Sequence, residues 1–318
     1  MRELAAHSGR PVPSWRCGVY RLSSVLQGSL TMQLILQTMA NALSLSLTYV
    51  LVSMGLTLMF SVMQLINFAH GELFMLGGFG IYVFFHKWGI NYIAAFAISV
   101  VLVSVVGFII YRIIFRPLRH DFLAAVLASL GIGMIIQNGT QFLFGQDDVG
   151  VRPVVSGVVD IANVRVAVDS LVVASSAAFF AIALIVFMKY AKAGKAIRSV
   201  AEDREAASLQ GVDVKAMDAM GFIIASALAA AAGALMAPLF FLNPFVGLSP
   251  MLKGFIIILL GGMGSISGAM LGSFVLGFIE TFGLTYVGLW ANIVGFLIVM
   301  LLILVRPSGF FGRQVTLH

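Results

Sequence analysis

The residues with chemistry to offer are few and fall in three places. Asn67, His70 and Glu72 put polar and ionisable groups within or beside an apolar run long enough to span a bilayer. An ionised side chain at mid-bilayer costs about 2.5–3.5 kcal/mol on insertion scales, so such groups face protein or water and mark pathways. Further along, Gly261, Gly262, Gly264, Gly268 and Gly272 interrupt a second apolar segment, with Glu280 beyond them. Glycine-broken hydrophobic segments in corresponding positions of two halves expose backbone groups usable by a ligand. The expected translocation path therefore lies between 66–78 and 261–272. Duller roles compete at each position: His70 as a cap on a neighbouring helix end, Glu72 reaching to headgroups, and small-x-x-x-small packing at the glycines.

The third place is Ser199-Val-Ala-Glu-Asp-Arg-Glu-Ala-Ala-Ser-Leu-Gln-Gly211. Ser199 followed three residues later by Glu202 reads as a capping box, and Gly211 as a left-handed stop. The segment predicts a short helix from about 200 to 210, either a solvated connector or a helix laid into a groove of another protein.

Other chemistries are absent from the sequence. It contains no G-x-x-x-x-G-K-[ST] loop, no H-E-x-x-H, no His pair at i, i+4 and no G-x-S-x-G, which removes the usual signatures of ATP binding, zinc hydrolysis and serine hydrolysis. A lone intramembrane His70 makes no metal site. Cys17 is the single cysteine, so a disulfide framework is excluded. The chain reads as a non-enzyme.

The elements that must position these residues are membrane helices. The chain has 318 residues, 60% hydrophobic and only 10% charged, against about 25% charged in an average soluble domain. A hydrocarbon core of about 30 Å needs roughly 20 apolar residues as helix. Seven runs qualify, near 39–62, 65–85, 92–111, 122–144, 169–188, 218–241 and 287–305, and a glycine-broken stretch at 251–284 either crosses twice or re-enters. The fold class is thus all-α, a polytopic bundle of about eight transmembrane helices. Arg112, Arg116 and Arg119, then Lys189, Lys192, Lys195, Arg198, Arg204 and Lys215, then Arg306 and Arg313 mark the cytoplasmic side. The other connections hold only Lys87, Arg152, Arg165 and Lys253 and carry Asp147, Asp148 and Asp160. The C-terminus is expected inside. The net charge of +6 follows from that loop rule, and with no aromatic residues interleaving a basic stripe, nucleic acid is not an expected partner.

Residues 1–31 fit poorly, because Arg2, Arg10, Arg16 and Arg21 would lie outside. Pro11, Pro13, Ser14, Arg16 and Arg21 deny the segment a signal-peptide core. It is read as an N-terminal extension arising from the choice of start site, with Met32 as the natural beginning, or alternatively as a tail followed by a weak extra crossing at 22–37. The expected division is extension 1–31, permease domain 32–312 with a cytoplasmic loop at 189–217, and tail 313–318.

Three motifs, in order, carry a resemblance. Glu205-Ala206-Ala207, three residues, then Gly211 resembles the E-A-A-x-x-x-G loop by which permease subunits of bacterial ABC importers dock on their ATPases. Ile66-Asn-Phe-Ala-His-Gly-Glu72 and Gly261-Gly-Met-Gly-Ser-Ile-Ser-Gly-Ala269 resemble more closely the LivH-type permeases of branched-chain amino acid ABC transporters. The resemblance covers about 32–312. It implies a multi-pass inner-membrane subunit with no cofactor, paired with a second, LivM-like permease, two ATPases, a periplasmic substrate-binding protein and membrane lipid. It assigns ATPase coupling to Glu202, Glu205, Ala206, Ala207, Leu209 and Gly211. The family also includes relatives for urea and short amides. Glu280, a lone intramembrane carboxylate, is read as protonated or paired with a polar group of the second permease. An ion-coupled secondary transporter working through Glu72 and Glu280, and a channel for a small neutral solute, are the rival classes.

Overall fold

The computed structural model describes residues 14–155, 157–161, 164–305 and 309–310. The early part of the proposed extension, 1–13, and the whole of the tail, 313–318, lie outside the described residues. The chain opens with α1 (Ser14–Met63), an unbroken helix whose stretch from Met32 is apolar and mostly buried among the others. After an extended connection comes α2 (His70–Ile81), which runs on as a π turn over Tyr82–Lys87. Next are α3 (Tyr92–Ile110), also extended by a π turn at Tyr111–Phe115, and α4 (Phe122–Phe144). A small antiparallel ribbon, β1 (Val158–Ile161) and β2 (Val164–Ala167), precedes α5 (Val168–Tyr190). Then follow α6 (Lys192–Glu202), α7 (Arg204–Leu209), α8 (Val214–Met236), α9 (Leu248–Gly261), α10 (Ile266–Tyr286) and α11 (Ala291–Val305).

Six of these are long and apolar enough to cross a membrane: α1 from Met32, α3 with its π turn, α4, α5, α8 and α10. The sequence expectation of about eight crossings therefore divides into six full-length spans and shorter apolar helices. The helices start where a short polar side chain takes up orphan amides. Asn91, Asp121, Asp213 and Ser265 each accept from a backbone N–H two or three residues on, at the heads of α3, α4, α8 and α10.

The two rims differ in charge. Arg119, Arg204 and Asp218 meet at one of them, which also bears α6 with Lys192, Lys195 and Arg198; this is the basic rim. At the other, the loop 145–155 closes over the end of α2. There Arg152 donates to the Phe85 carbonyl and through its backbone N–H to His86 Nδ1, and Val149 pairs with Leu242.

The centre of the bundle is built around α1 and α8. Gly55 on α1 lies against Ala225 and Leu228 of α8, and Val62 against Gly221, so the two run antiparallel. Each is followed by a non-helical segment that turns back into the bundle, 64–69 after α1 and 237–247 after α8. From there α2 leads outward to the 145–155 loop, whereas α9 leads to Gly264 beside Ser61, near the basic end of α1. This is an inverted repeat in outline. The stretch 251–284 lies in two antiparallel helices, α9 and α10, joined at Gly262, whose φ of +98° is open to glycine at little cost. With 14 residues, α9 is about 21 Å long, short of the roughly 30 Å hydrocarbon core.

Candidate functional site

Two half-helices start face to face inside the bundle. Gly71, in the first turn of α2, packs backbone to backbone on Gly247, the residue before α9. A Cβ on either would collide with the other's carbonyl. A helix start leaves amides unpaired, and in an apolar interior each unpaired amide is costly. Both starts meet this locally. Asn67 Oδ1 accepts from the Ala69 N–H at 2.9 Å, and Asn243 Oδ1 from the Phe245 N–H at 3.0 Å. Each asparagine carbonyl also accepts from the backbone N–H three residues on, that of His70 and of Val246. Ile66-Asn67-Phe-Ala-His-Gly71 and Leu242-Asn243-Pro-Phe-Val-Gly247 are thus two copies of one device, an apolar residue, then Asn-x-x-x-Gly. The counterpart of 66–72 is 242–248, and the reading from sequence placed it at 261–272. The common spacing was visible in the sequence; a hydropathy scan passes over it because Asn243 falls at the end of an apolar run.

The first copy carries polar atoms with nothing to bond. His70 is fully buried, with the Val52 carbonyl as its nearby acceptor, yet neither ring nitrogen makes a hydrogen bond of good geometry. Asn67 Nδ2 and Glu72 Oε2 are also buried without a partner. Glu72 faces Gly133 of α4, and Ser129 on the same helix accepts from the Phe68 N–H. In the second copy, Asn243 donates to Asp148 at 2.8 Å. The pair of starts is held by α8, where Gly77 of α2 meets the Ala230 backbone and Gly233 meets Phe74.

The glycines at 261–272 have a different setting. Gly261 and Gly268 pack backbone to backbone across the α9–α10 turn, Gly272 lies against Ile257, and Gly264 lies near Ser61. What packs most heavily on 66–78 is α8, with α3, α4 and the 242–251 stretch around it. The close α9–α10 approach is what these small residues allow.

At the basic rim the helix expected at 200–210 is two helices. Ser199 lies inside α6 and donates to the Ala196 carbonyl, so the Ser199–Glu202 capping box is not formed. The extended residue Asp203 breaks the run and caps α7 instead, its Oδ1 accepting from the Glu205 and Ala206 amides at 2.9 Å. At the other end the Gly211 N–H donates to Ser208 and the Val212 N–H to Ala207, with Gly211 at φ +84°, a Schellman stop. Ala207 faces inward at 4% exposure. Its small size serves packing on the bundle, which corrects the reading of it as a surface for a partner. Glu202, Glu205, Ala206 and Leu209 face out, and Leu209 is 85% exposed.

One residue outside the expected set ties this helix to the core. Arg204 donates to Asp218 Oδ2 at 2.6 Å and to the Val62 carbonyl. Arg119 lies 3.7 Å from the same carboxylate. A single guanidinium thus joins α7 to α8 and to the last turn of α1, two residues before Gln64, the one non-glycine among the described residues with positive φ. Sequence reading missed it because Asp218 sits 14 residues away at the head of an apolar run.

A bundle of apolar spans whose centre holds two inward-facing half-helix starts has the architecture of a membrane permease. Similarity to known proteins specifies which. The family model described as branched-chain amino acid transport system, permease component, matches residues 38–306. The high-affinity branched-chain amino acid transport system permease protein LivH of Escherichia coli K12 is 33% identical over 294 residues, covering 87% of this chain and 96% of that protein. BraD of Pseudomonas aeruginosa, a permease protein of the same description, is 30% identical over the same shares. A relative from Methanocaldococcus jannaschii, described as a probable branched-chain amino acid transport permease protein, is 24% identical over 289 residues. The chain belongs to the branched-chain amino acid transport permease family. No solved structure matches it.

Proposed function

We propose that this chain is the LivH-type permease subunit of an ATP-binding cassette importer for branched-chain amino acids, acting in the inner membrane with its basic rim in the cytoplasm. It pairs with a second permease, takes substrate from a periplasmic binding protein and is driven by two separate ATPases. Relatives named as branched-chain amino acid permeases support the substrate class, and the loop-charge rule supports the orientation. The observation that carries the mechanism is α7. It is capped at both ends, displays Glu205, Ala206, Ser208 and Leu209, and is bolted by Arg204 to α1 and α8. A nucleotide-driven push on it acts directly on the helix end that feeds the re-entrant segment 64–69.

Gly71 and Gly247 touch at the centre of the bundle. Transport requires them to part, and Asn67, His70 and Glu72 then face the opened space. Purification from native membrane tests the reading. Co-isolation with two ATPases and ATP-driven leucine uptake supports it; uptake by the lone chain in liposomes under an ion gradient contradicts it.

A further inference from the structure

Lys253 and Glu280 form an ion pair inside the bundle. Lys253, which sequence reading assigned to a connection, lies on α9 eight residues before its end, about 12 Å along the helix, and Glu280 lies 14 residues into α10, about 21 Å along it. Lys253 Nζ is 2.5 Å from Glu280 Oε1 and donates to the Tyr49 hydroxyl at 2.8 Å, while that hydroxyl donates to Glu280 Oε2 at 2.7 Å. Lys253 also stands over the Tyr49 ring, 5.3 Å from its centroid. Glu280 therefore finds its partner within its own chain. This replaces the sequence expectation of a protonated carboxylate or a bond to the second permease.

The cluster is not sealed. The two charged side chains keep 20% and 13% of their surface exposed, whereas Tyr49 is 4% exposed. Hydrocarbon on that open side would leave part of an ion pair in lipid, and intramembrane charges face a bundle interior or water instead. Arg119 and Arg204 pair with Asp218 at the basic rim. Lys253–Glu280 stands apart from them, deeper along its helices and open on one side.

We propose that the Lys253–Tyr49–Glu280 cluster is a station for the charged end of a zwitterionic amino acid crossing the membrane. The α-carboxylate takes Lys253, the α-ammonium takes Glu280, and the Tyr49 hydroxyl keeps a hydrogen bond to either. A zwitterion carries its opposite charges one carbon apart, so it can insert between a preformed lysine–glutamate pair, breaking one ion contact and making two. No charge is left unpaired at any point, and this matters where an uncompensated buried charge is severely penalised. Side-chain selection is left to other surfaces.

The assignment rests on the amino acid importer reading, so the test starts with the complete complex in proteoliposomes. Failure of the unaltered complex to take up leucine under ATP would remove that reading itself. Given uptake, K253M/E280Q, which keeps shape and drops both charges together, is expected to lower leucine uptake roughly tenfold or more while still purifying with its partner subunits. Uptake equal to the unaltered complex would overturn the station. A second measurement covers a variant that fails to assemble: the unaltered complex is treated with a membrane-impermeant acylating reagent and Lys253 is followed by mass spectrometry. Modification that millimolar leucine suppresses is expected. Lys253 unreactive in both nucleotide-free and nucleotide-trapped complexes, or reactive but indifferent to leucine, would overturn the proposal and leave a fixed structural pair or a permease–permease contact.

Discussion

Removing the Arg204 guanidinium tests whether α7 is mechanically joined to the bundle. In Arg204→Ala the Asp218 carboxylate, 1% exposed, keeps only Arg119 at 3.7 Å, and its Oδ1 already lacks a partner. Stripping one member from a buried pair costs about 3–5 kcal/mol. Arg204 is 24% exposed and water reaches the rim, so about 2 kcal/mol is the expected loss once solvent screening is allowed for. Asp218→Asn leaves an arginine that can still donate to the Val62 carbonyl and to water, at about 1 kcal/mol. The double variant has no orphaned charge and is expected to lose less than the sum of the two, by about 1 kcal/mol or more, as coupled neighbours do. Thermal unfolding of the detergent-solubilised chain, read by fluorescence-detected gel filtration for all four members of the cycle, measures this. Membrane insertion is unchanged in each. Strict additivity, or a stability indifferent to Arg204→Ala, refutes the link between α7, α1 and α8.

Gly71→Ala and Gly247→Ala each force a methyl into the opposite carbonyl, and overpacking of this kind costs about 1–3 kcal/mol; both are expected to unfold at lower temperature than Gly139→Ala, whose Cβ would meet open space. Asn243→Ala removes the acceptor of the Phe245 amide and the donor to Asp148, with an expected loss of about 1–2 kcal/mol seen in the same assay. Leu209→Asp alters only an exposed side chain; it is expected to leave unfolding unchanged while abolishing co-purification of the ATPases. Ala207→Trp, by contrast, crowds the inward side of α7 and is expected to lower stability as well as ATP-driven uptake.

Composition and span length made the fold class legible, because a run of about 20 apolar residues is the length a helix needs to cross hydrocarbon. The E-A-A-x-x-x-G segment likewise exposed its helix stop at Gly211. The start was misread since Ser199 and Glu202 fit a capping box as spacing alone defines it, yet α6 continues through them and Asp203 supplies the break. Asn67, His70 and Glu72 stood out as polar residues in an apolar run. Their counterpart did not: Asn243 lies beside Pro244 and Gly247, a composition that also describes an ordinary loop. Lys253 with Glu280, and Arg204 with Asp218, are pairs set by which helices pack together. Neither partner carries any local mark of the other.

The most direct measurement concerns the place where force enters. In a Cys17→Ser background, Leu209→Cys is treated with a short bifunctional thiol cross-linker in native membranes. Adduct to an ATPase subunit, with a yield that changes when nucleotide is trapped, is what a docking helix on the cytoplasmic rim requires. Labelling of the same cysteine by an impermeant reagent added outside intact cells, with no ATPase adduct, would contradict both the orientation and the docking role.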